Sequence, residues 1–134
     1  MNYLLDTNTC IFIINHKPES VRQKMQSIPI GHIAVSSVTV SELDYGVAKS
    51  VAQKRNQAAL NKFLIPLEVL AYDEAAARHY GAMRAQLEKK GTPIGSMDMM
   101  IAAHALSLRL TVITNNVREF KRVQGLKVAD WTKA

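Results

Sequence analysis

The stretch YLLDTNTCIFII at residues 3–14 decides how this chain folds. The apolar run at residues 3–5 is typical of a short buried strand, and Asp6 ends it. A helical pattern follows at once, and either Thr7 or Asn8 is suited to cap that helix. A strand that leads directly into a helix is the unit from which parallel α/β sheets are built.

This unit recurs along the chain. Short apolar or β-branched runs predict further strands at residues 33–35, at 68–70, at 111–114 and near Val128. Helical patterns separate them, including one capped by Ser36 or Ser37, a long one capped by Asp73, one capped by Ser96, and a short one at residues 117–123. Strands that alternate with helices predict an α/β fold, in which one parallel sheet carries helices on both faces.

Length and composition indicate a single globular domain over residues 1–134, because 48% of the residues are hydrophobic and 21% are charged. The longest apolar runs have about five residues, whereas a membrane-spanning helix needs about 20. No signal peptide is recognisable, so we expect a cytoplasmic protein. A single cysteine, Cys10, excludes an internal disulfide framework and a thiolate zinc site.

The charge balance favours a polyanionic partner. Seventeen Lys and Arg residues against eleven Asp and Glu residues give a net charge of +6. A basic protein attracts polyanions through long-range electrostatics and counterion release, although many proteins are basic without binding one. The positions of the acidic residues are therefore more informative than the surplus of basic ones.

Acidic residues follow the ends of several predicted strands. Asp6 comes directly after the first strand, and Glu42 lies in the helix that follows the second. Asp98 is in the first turn of a largely apolar helix, and Glu119 follows the strand that ends at Thr114. Ligands of open parallel sheets bind outside the carboxyl ends of the strands, so we expect these acids to converge at one sheet edge.

Converging carboxylates repel one another. At about 4 Å and an effective dielectric near 20, each pair costs about 4 kcal/mol, so such a cluster takes up a proton or recruits a cation. Hard oxygen ligands favour magnesium or manganese over zinc. An acidic magnesium site in a basic protein suits phosphodiester hydrolysis, because the metal activates water and neutralises charge in the transition state.

Each acid also has a structural interpretation that the sequence leaves open. Asp6 can cap the helix that follows it, and Glu42 can form a capping box with Thr39. Asp98 can interact favourably with the helix dipole. However, Asp98 shares a face with apolar residues such as Ile101, and a charge there is costly unless it is paired or bound to a metal.

Several stretches, taken in order, resemble the PIN-domain family, and within it the VapC toxins of bacterial toxin–antitoxin pairs. They are LDTN at residues 5–8, SSVTVSEL at 36–43, PIG at 93–95, DMMIAAHA at 98–105, VITNN at 112–116, REF at 118–120 and DW at 130–131. The resemblance spans nearly the whole chain. No single motif is specific, but the ordered set is.

The resemblance implies a PIN-like three-layer α/β/α fold with a five-stranded parallel sheet, and a metal-dependent endoribonuclease. It implies an acidic centre of Asp6, Glu42 and Asp98. From their positions, we expect Asp6 and Asp98 to bind Mg²⁺ or Mn²⁺ and Glu42 to orient the attacking water. The resemblance also implies a cognate VapB antitoxin and a homodimer. The endings at residues 114–116 and 118–120 are similar to those of members that cut initiator tRNA in the anticodon region.

One residue departs from the family pattern. Many PIN domains carry Asp where this chain has Asn116, and an amide oxygen cannot balance the charge of a metal. We therefore predict Glu119 as the fourth catalytic acid, although it can instead pair with Arg122 on the surface. Neighbouring polar residues are predicted to support the acids; they are Thr7, Asn8, Thr114 and Asn116.

Two other functions fit an acidic sheet edge less well. A signalling receiver domain needs an acidic pair after the first strand and a Lys after the last catalytic strand, but Asp6 stands alone and residues 114–116 contain no Lys. A nucleic-acid-binding module without catalysis is disfavoured because acids without a metal repel phosphate.

Overall fold

The sheet has five strands, all parallel. A computed structural model describes residues 2–133. The strands are Tyr3–Leu5 (β1), Ile33–Ser36 (β2), Glu68–Leu70 (β3), Thr111–Ile113 (β4) and Lys127–Ala129 (β5). Their order across the sheet is β3-β2-β1-β4-β5, and each neighbouring pair is parallel. The predicted fold class is confirmed.

Seven helices connect and cover these strands in the described part of the chain. They are Thr7–Ile14 (α1), Glu19–Gln26 (α2), Ser37–Ala48 (α3), Gln53–Leu64 (α4), Glu74–Lys89 (α5), Ser96–Leu108 (α6) and Val117–Phe120 (α7). Within residues 2–133, no helix is long and apolar enough to cross a membrane.

The central strand β1 faces a separate hydrophobic core on each side of the sheet. Leu4 packs in a cluster with Met83 of α5 and Ile101 of α6. Its neighbour Leu5 points to the opposite face, into a cluster with Leu60 of α4. Successive side chains of a strand point to opposite faces, so this alternation places one helical layer on each side of the sheet.

The strand order determines where the acids meet. Strands β2 and β4 flank β1, so the three carboxyl ends lie side by side. Asp6 follows β1, α3 follows β2, and Thr114 follows β4. Helix α6 contacts α3 and runs into β4, which brings its first turn to the same edge.

Helix α1 is capped by Asp6, which corrects the prediction that Thr7 or Asn8 caps it. Asp6 Oδ1 accepts a hydrogen bond from the backbone N–H of Thr9 at 2.8 Å. Strand β1 ends at Leu5 and α1 begins at Thr7, so only one residue separates them. That residue has to provide the cap.

Two other helix limits also differ from the prediction. Helix α6 already includes Ser96, and its first turn is closed by the Gly95 carbonyl, which accepts from a backbone N–H at 2.8 Å without a side-chain cap. Helix α7 ends at Phe120 rather than extending to residue 123. Tighter backbone hydrogen bonds of the i to i+3 type follow it, and Gly125, with φ of 82°, completes the turn.

Candidate functional site

The structure brings the four predicted acids to one edge of the sheet. Asp6 lies between β1 and α1, Glu42 in the second turn of α3, Asp98 in the first turn of α6, and Glu119 in α7. Burial is the main cause that raises the pKa of Asp98, to about 6, and repulsion from Asp6, Glu119 and Glu42 adds to it. The four carboxyl groups therefore interact electrostatically although they come from four separate elements.

Asp6 is the most buried of these acids, with 2% of its surface exposed. Burial raises its pKa above the ordinary value of 3.8; hydrogen bonds with Thr114 and Thr9 oppose that rise, and the charge of Glu42 adds to it. Thr9 is itself fixed, because its hydroxyl donates to the Ile113 carbonyl at 3.0 Å. Asp6 thus both caps α1 and contributes a carboxylate to the acidic edge.

Glu42 does not form a capping box. Helix α3 begins at Ser37 and Ser36 caps it, so Thr39 is already inside the helix. The hydroxyl of Thr7 donates to Glu42 Oε1 at 2.5 Å, and the hydroxyl oxygens of Thr7 and Thr39 are 3.3 Å apart. Thr7 therefore orients the half-buried Glu42 carboxylate.

Asp98 lies in the first turn of α6, a helix that is buried on several sides. The residues that share its face, Ile101, Ala102 and Ala105, are completely buried. A Cβ on Gly95 would lie 3.8 Å from Asp98 Oδ2, which is an ordinary van der Waals distance. Asp98 thus lies at the point where an apolar helix meets the acidic edge.

Glu119 is held by Asn116 rather than by a basic residue. The side-chain amide of Asn116 donates to Glu119 Oε2 at 2.8 Å, and its backbone N–H donates to Thr114 Oγ1 at 2.9 Å. Arg122 points elsewhere and donates to the Pro93 carbonyl at 2.8 Å. The alternative prediction, a surface ion pair between Glu119 and Arg122, is therefore wrong.

The comparisons with known proteins agree with this geometry. Residues 3–126 match the family described as PIN domain. The chain is also 49% identical to the tRNA(fMet)-specific endonuclease VapC of Salmonella typhimurium over 131 residues, which covers 98% of each chain. The chain belongs to the VapC family of PIN-domain ribonucleases. Ribonucleases of this family depend on divalent metal ions.

Other relatives support the same assignment. The PIN domain is 40% identical to Ribonuclease VapC2 of Rickettsia felis, over 99% of this chain and 100% of the relative. A solved structure, described as DNA bound VapBC from Salmonella typhimurium, matches it with a TM-score of 0.93 at 49% identity and 98% coverage of both chains. Such a match over the full length leaves no support for a receiver domain.

Some supporting residues of the PIN domain were not predicted from the sequence. Thr9 and Thr39 hold Asp6 and the Thr7–Glu42 pair, respectively. Thr9 stands three residues after Asp6, the spacing of a cap and its partner, so recognising Asp6 as a cap would have revealed it. In contrast, the predicted Asn8 is exposed, and the structure gives it no side-chain hydrogen bond to the acids within residues 2–133.

His104 joins two of the elements that carry the acids. It is buried, its Nδ1 lies 2.8 Å from Ser36 Oγ, and its ring packs edge-on against Tyr72 at 5.6 Å between centroids. Burial is the main cause that lowers its pKa. Because Ser36 caps the helix of Glu42 and His104 shares a helix with Asp98, this buried contact connects the two acids through the fold.

The donors of the PIN domain fit a hard divalent ion held at an open edge. None of the four acids forms an ion pair in residues 2–133, where the pairs recorded are Glu19–Arg22, Glu74–Arg78 and Arg84–Glu88. Over the same residues, no three acidic, His or Cys side chains are arranged to surround an ion. Magnesium keeps several waters and binds through one or two carboxylates, so an open acidic edge suits it better than it suits zinc.

Proposed function

We propose that this VapC protein is a toxin that cleaves initiator tRNA in the anticodon region, by magnesium-dependent hydrolysis of a phosphodiester bond. One observation carries the proposal: Asp6, Glu42 and Glu119 come from three other elements and all raise the pKa of Asp98 by repulsion, none of the four is paired with a basic residue in residues 2–133, and the chain has a net charge of +6. The choice of tRNA is supported by the name of the Salmonella typhimurium relative, a tRNA(fMet)-specific endonuclease.

Asp6 and Asp98 would hold the metal. Asp6 follows the end of β1 and Asp98 lies in the first turn of α6, and both have a raised pKa, chiefly because of burial. A bound Mg²⁺ would supply charge neutralisation at the phosphate and make an attacking water easier to deprotonate. The backbone around Asp6 fixes its carboxylate through the cap of α1, so this ligand is already oriented before RNA arrives.

Glu42 would orient the attacking water and accept its proton. Thr7 donates to Oε1 of Glu42 and fixes the carboxylate plane, which leaves Oε2 for the water. Proton transfer of this kind contributes a factor of about 100 to 10,000 in rate.

Glu119 would be the fourth acid, and Asn116 would orient it. Glu119→Gln removes a charge that the metal needs, so we expect lower activity and an about tenfold higher Mg²⁺ concentration at half-maximal rate. Asn116→Ala removes only the hydrogen bond to Glu119, so a smaller loss is expected. The measurement is the cleavage rate across a Mg²⁺ titration, with Glu88→Gln on α5 as the control. Wild-type behaviour of Glu119→Gln together with an inactive Asn116→Ala would reverse the two roles.

Incubation with a set of purified tRNAs tests the substrate. We expect a single cut in the anticodon region of initiator tRNA, mapped by primer extension, and little cleavage of elongator methionine tRNA. Comparable cleavage of every tRNA, or cuts outside the anticodon stem and loop, would contradict the proposed specificity. An Asp98→Asn preparation purified in the same way controls for contaminating ribonucleases.

A cognate VapB antitoxin would have to neutralise the acidic edge and anchor itself on the toxin. An Arg side chain suits the first task, because its guanidinium forks onto carboxylates. For the second, an apolar helix of the antitoxin would pack near Ile11, Phe12 and Ile14. Ile11 is exposed and Ile14 lines a cavity of about 560 Å³ beside α1, α2 and α4, whereas Phe12 packs partly against the core. The expected homodimer remains a prediction.

A further inference from the structure

Tyr45 is the one aromatic side chain in residues 2–133 that is largely exposed. It has 66% of its surface in solvent, while the other aromatic residues are buried or half-buried. Tyrosine is enriched at binding interfaces, because its ring provides apolar contact area while its hydroxyl stays hydrated. The residues around Tyr45 indicate which kind of partner its ring fits.

Tyr45 lies next to the acidic edge, on the helix that carries Glu42. Residues three or four apart share a helix face, so Glu42 and Tyr45 of α3 and Lys49, the C-cap residue of this helix, form one stripe. At about 1.5 Å per residue, Tyr45 is about 4.5 Å and Lys49 about 10 Å beyond Glu42 along the helix axis. A side chain at Gly46 would meet nothing within 4 Å, so the space beside the ring is open.

Lys49 gives this stripe a positive charge. Its ammonium lies 4.9 Å from the centroid of the Tyr45 ring, which is a cation–π contact. The aromatic face and the charge are thus presented together, one to two turns from the proposed reaction centre. An RNA backbone is repelled by the four acids alone, so the substrate needs a cationic contact just outside them.

We propose that Tyr45 is a stacking platform for a base of the RNA substrate close to the scissile bond, and that Lys49 contacts a neighbouring phosphate. Single-stranded RNA is bound by stacking of its bases on aromatic side chains, with cations along the backbone. The 10 Å stripe matches about three bases stacked at about 3.4 Å each. This assignment rests on the proposed ribonuclease function and adds a binding site to it.

Steady-state kinetics of three Tyr45 variants tests the platform. Stacking of one base is worth about 1–3 kcal/mol, so Tyr45→Leu should raise KM for RNA by about 5- to 150-fold and leave kcat within about twofold. Tyr45→Phe and Tyr45→Trp keep an aromatic face and should retain KM. If Tyr45 only supported the fold, Tyr45→Leu would lower kcat as well as raise KM. An unchanged kcat in Tyr45→Leu, together with a wild-type KM in both aromatic variants, therefore distinguishes stacking from a structural role.

Lys49→Ala should raise KM for RNA. It should also reduce the slope of the logarithm of the RNA-binding constant against the logarithm of the salt concentration by about one, because one counterion fewer is released. Binding is measured by fluorescence anisotropy with a labelled single-stranded RNA, in an inactive Asp98→Asn background. Lys24→Ala is the matched control, because Lys24 is an exposed lysine on α2, away from the acidic edge.

The outcomes separate this assignment from the proposed function. If wild type cleaves RNA but Tyr45→Leu retains its KM, the platform is wrong and the ribonuclease stands. A Tyr45→Leu protein that instead loses self-association, with unchanged RNA affinity, would assign the ring to a protein interface and overturn the proposal. If wild type leaves RNA intact, the proposed function fails, and this assignment with it.

Discussion

Asp98→Asn is expected to abolish RNA cleavage and also to stabilise the protein at pH 8. Loss of a metal-binding carboxylate removes transition-state stabilisation of several kcal/mol, so the rate should fall about 1,000-fold or more. The asparagine has nearly the same shape, so the apolar packing of α6 is retained. Cleavage at more than about a tenth of the wild-type rate would show that Asp98 is not a metal ligand.

The gain in stability should depend on pH. The pKa of Asp98 rises from 3.8 to about 6 on folding, so between these values the folded protein binds more protons than the unfolded chain. The free energy of unfolding therefore falls as pH rises through this window, and the penalty persists above pH 6. Without solvent screening, this penalty would be about 3 kcal/mol. Water around the half-exposed Asp98 screens its charge, so we expect Asp98→Asn to gain about 1 kcal/mol in the free energy of unfolding.

Urea unfolding without divalent metal at pH 4, 6 and 8 measures this effect. We expect wild type and Asp98→Asn to be similar at pH 4 and to separate as pH rises, with the variant the more stable. A variant that is less stable at pH 8, or that differs from wild type equally at all three values, would contradict electrostatic repulsion at the acidic edge. Glu88→Gln, which removes a solvated acid from α5, should show no such trend.

Two substitutions at Asp6 should separate its two roles. Asp6→Asn keeps an oxygen that can accept from the Thr9 N–H, so we expect an inactive protein with the cap of α1 intact. Asp6→Ala removes the charge and the cap together. It should be equally inactive and less stable than Asp6→Asn by about 1 kcal/mol.

Asp73 provides the matched control for the Asp6 pair. It caps α5 in the same way, with its Oδ1 accepting from the backbone N–H of Ala76 at 3.0 Å, but it lies outside the four acids. Asp73→Ala should therefore lose stability and keep cleavage. Equal stability of the two Asp6 variants would show that its cap contributes nothing, and an inactive Asp73→Ala would show that cap loss alone stops catalysis.

The alternation of short apolar runs with helical patterns was enough to predict the strands and the parallel sheet. Each of these runs, such as residues 68–70 and 111–113, forms a strand that pairs with its neighbour in the sheet. The acids at the strand ends were recognisable for the same reason, because a carboxylate directly after a buried strand must lie at the carboxyl edge. Strand order was not predictable, since it depends on contacts between residues far apart in the chain.

The contacts that hold the acids were less predictable. The Asn116–Glu119 hydrogen bond joins residues three positions apart, and the sequence already indicated Asn116 as a support for Glu119, whereas the Ser36–His104 contact joins residues 68 positions apart. The cap of α1 stayed open for a different reason: three consecutive residues, 6–8, are all good capping residues. Only the end of β1 at Leu5 selects Asp6 among them.

Metal removal and restoration tests the central claim most directly. The purified chain is treated with EDTA, exchanged into metal-free buffer, and incubated with initiator tRNA before and after addition of millimolar Mg²⁺ or Mn²⁺. Because the unpaired acids at this edge repel an RNA phosphate unless a cation offsets their charge, we expect no cleavage without the ion and full recovery with it. Cleavage at the full rate in excess chelator would contradict a metal-dependent reaction at this edge.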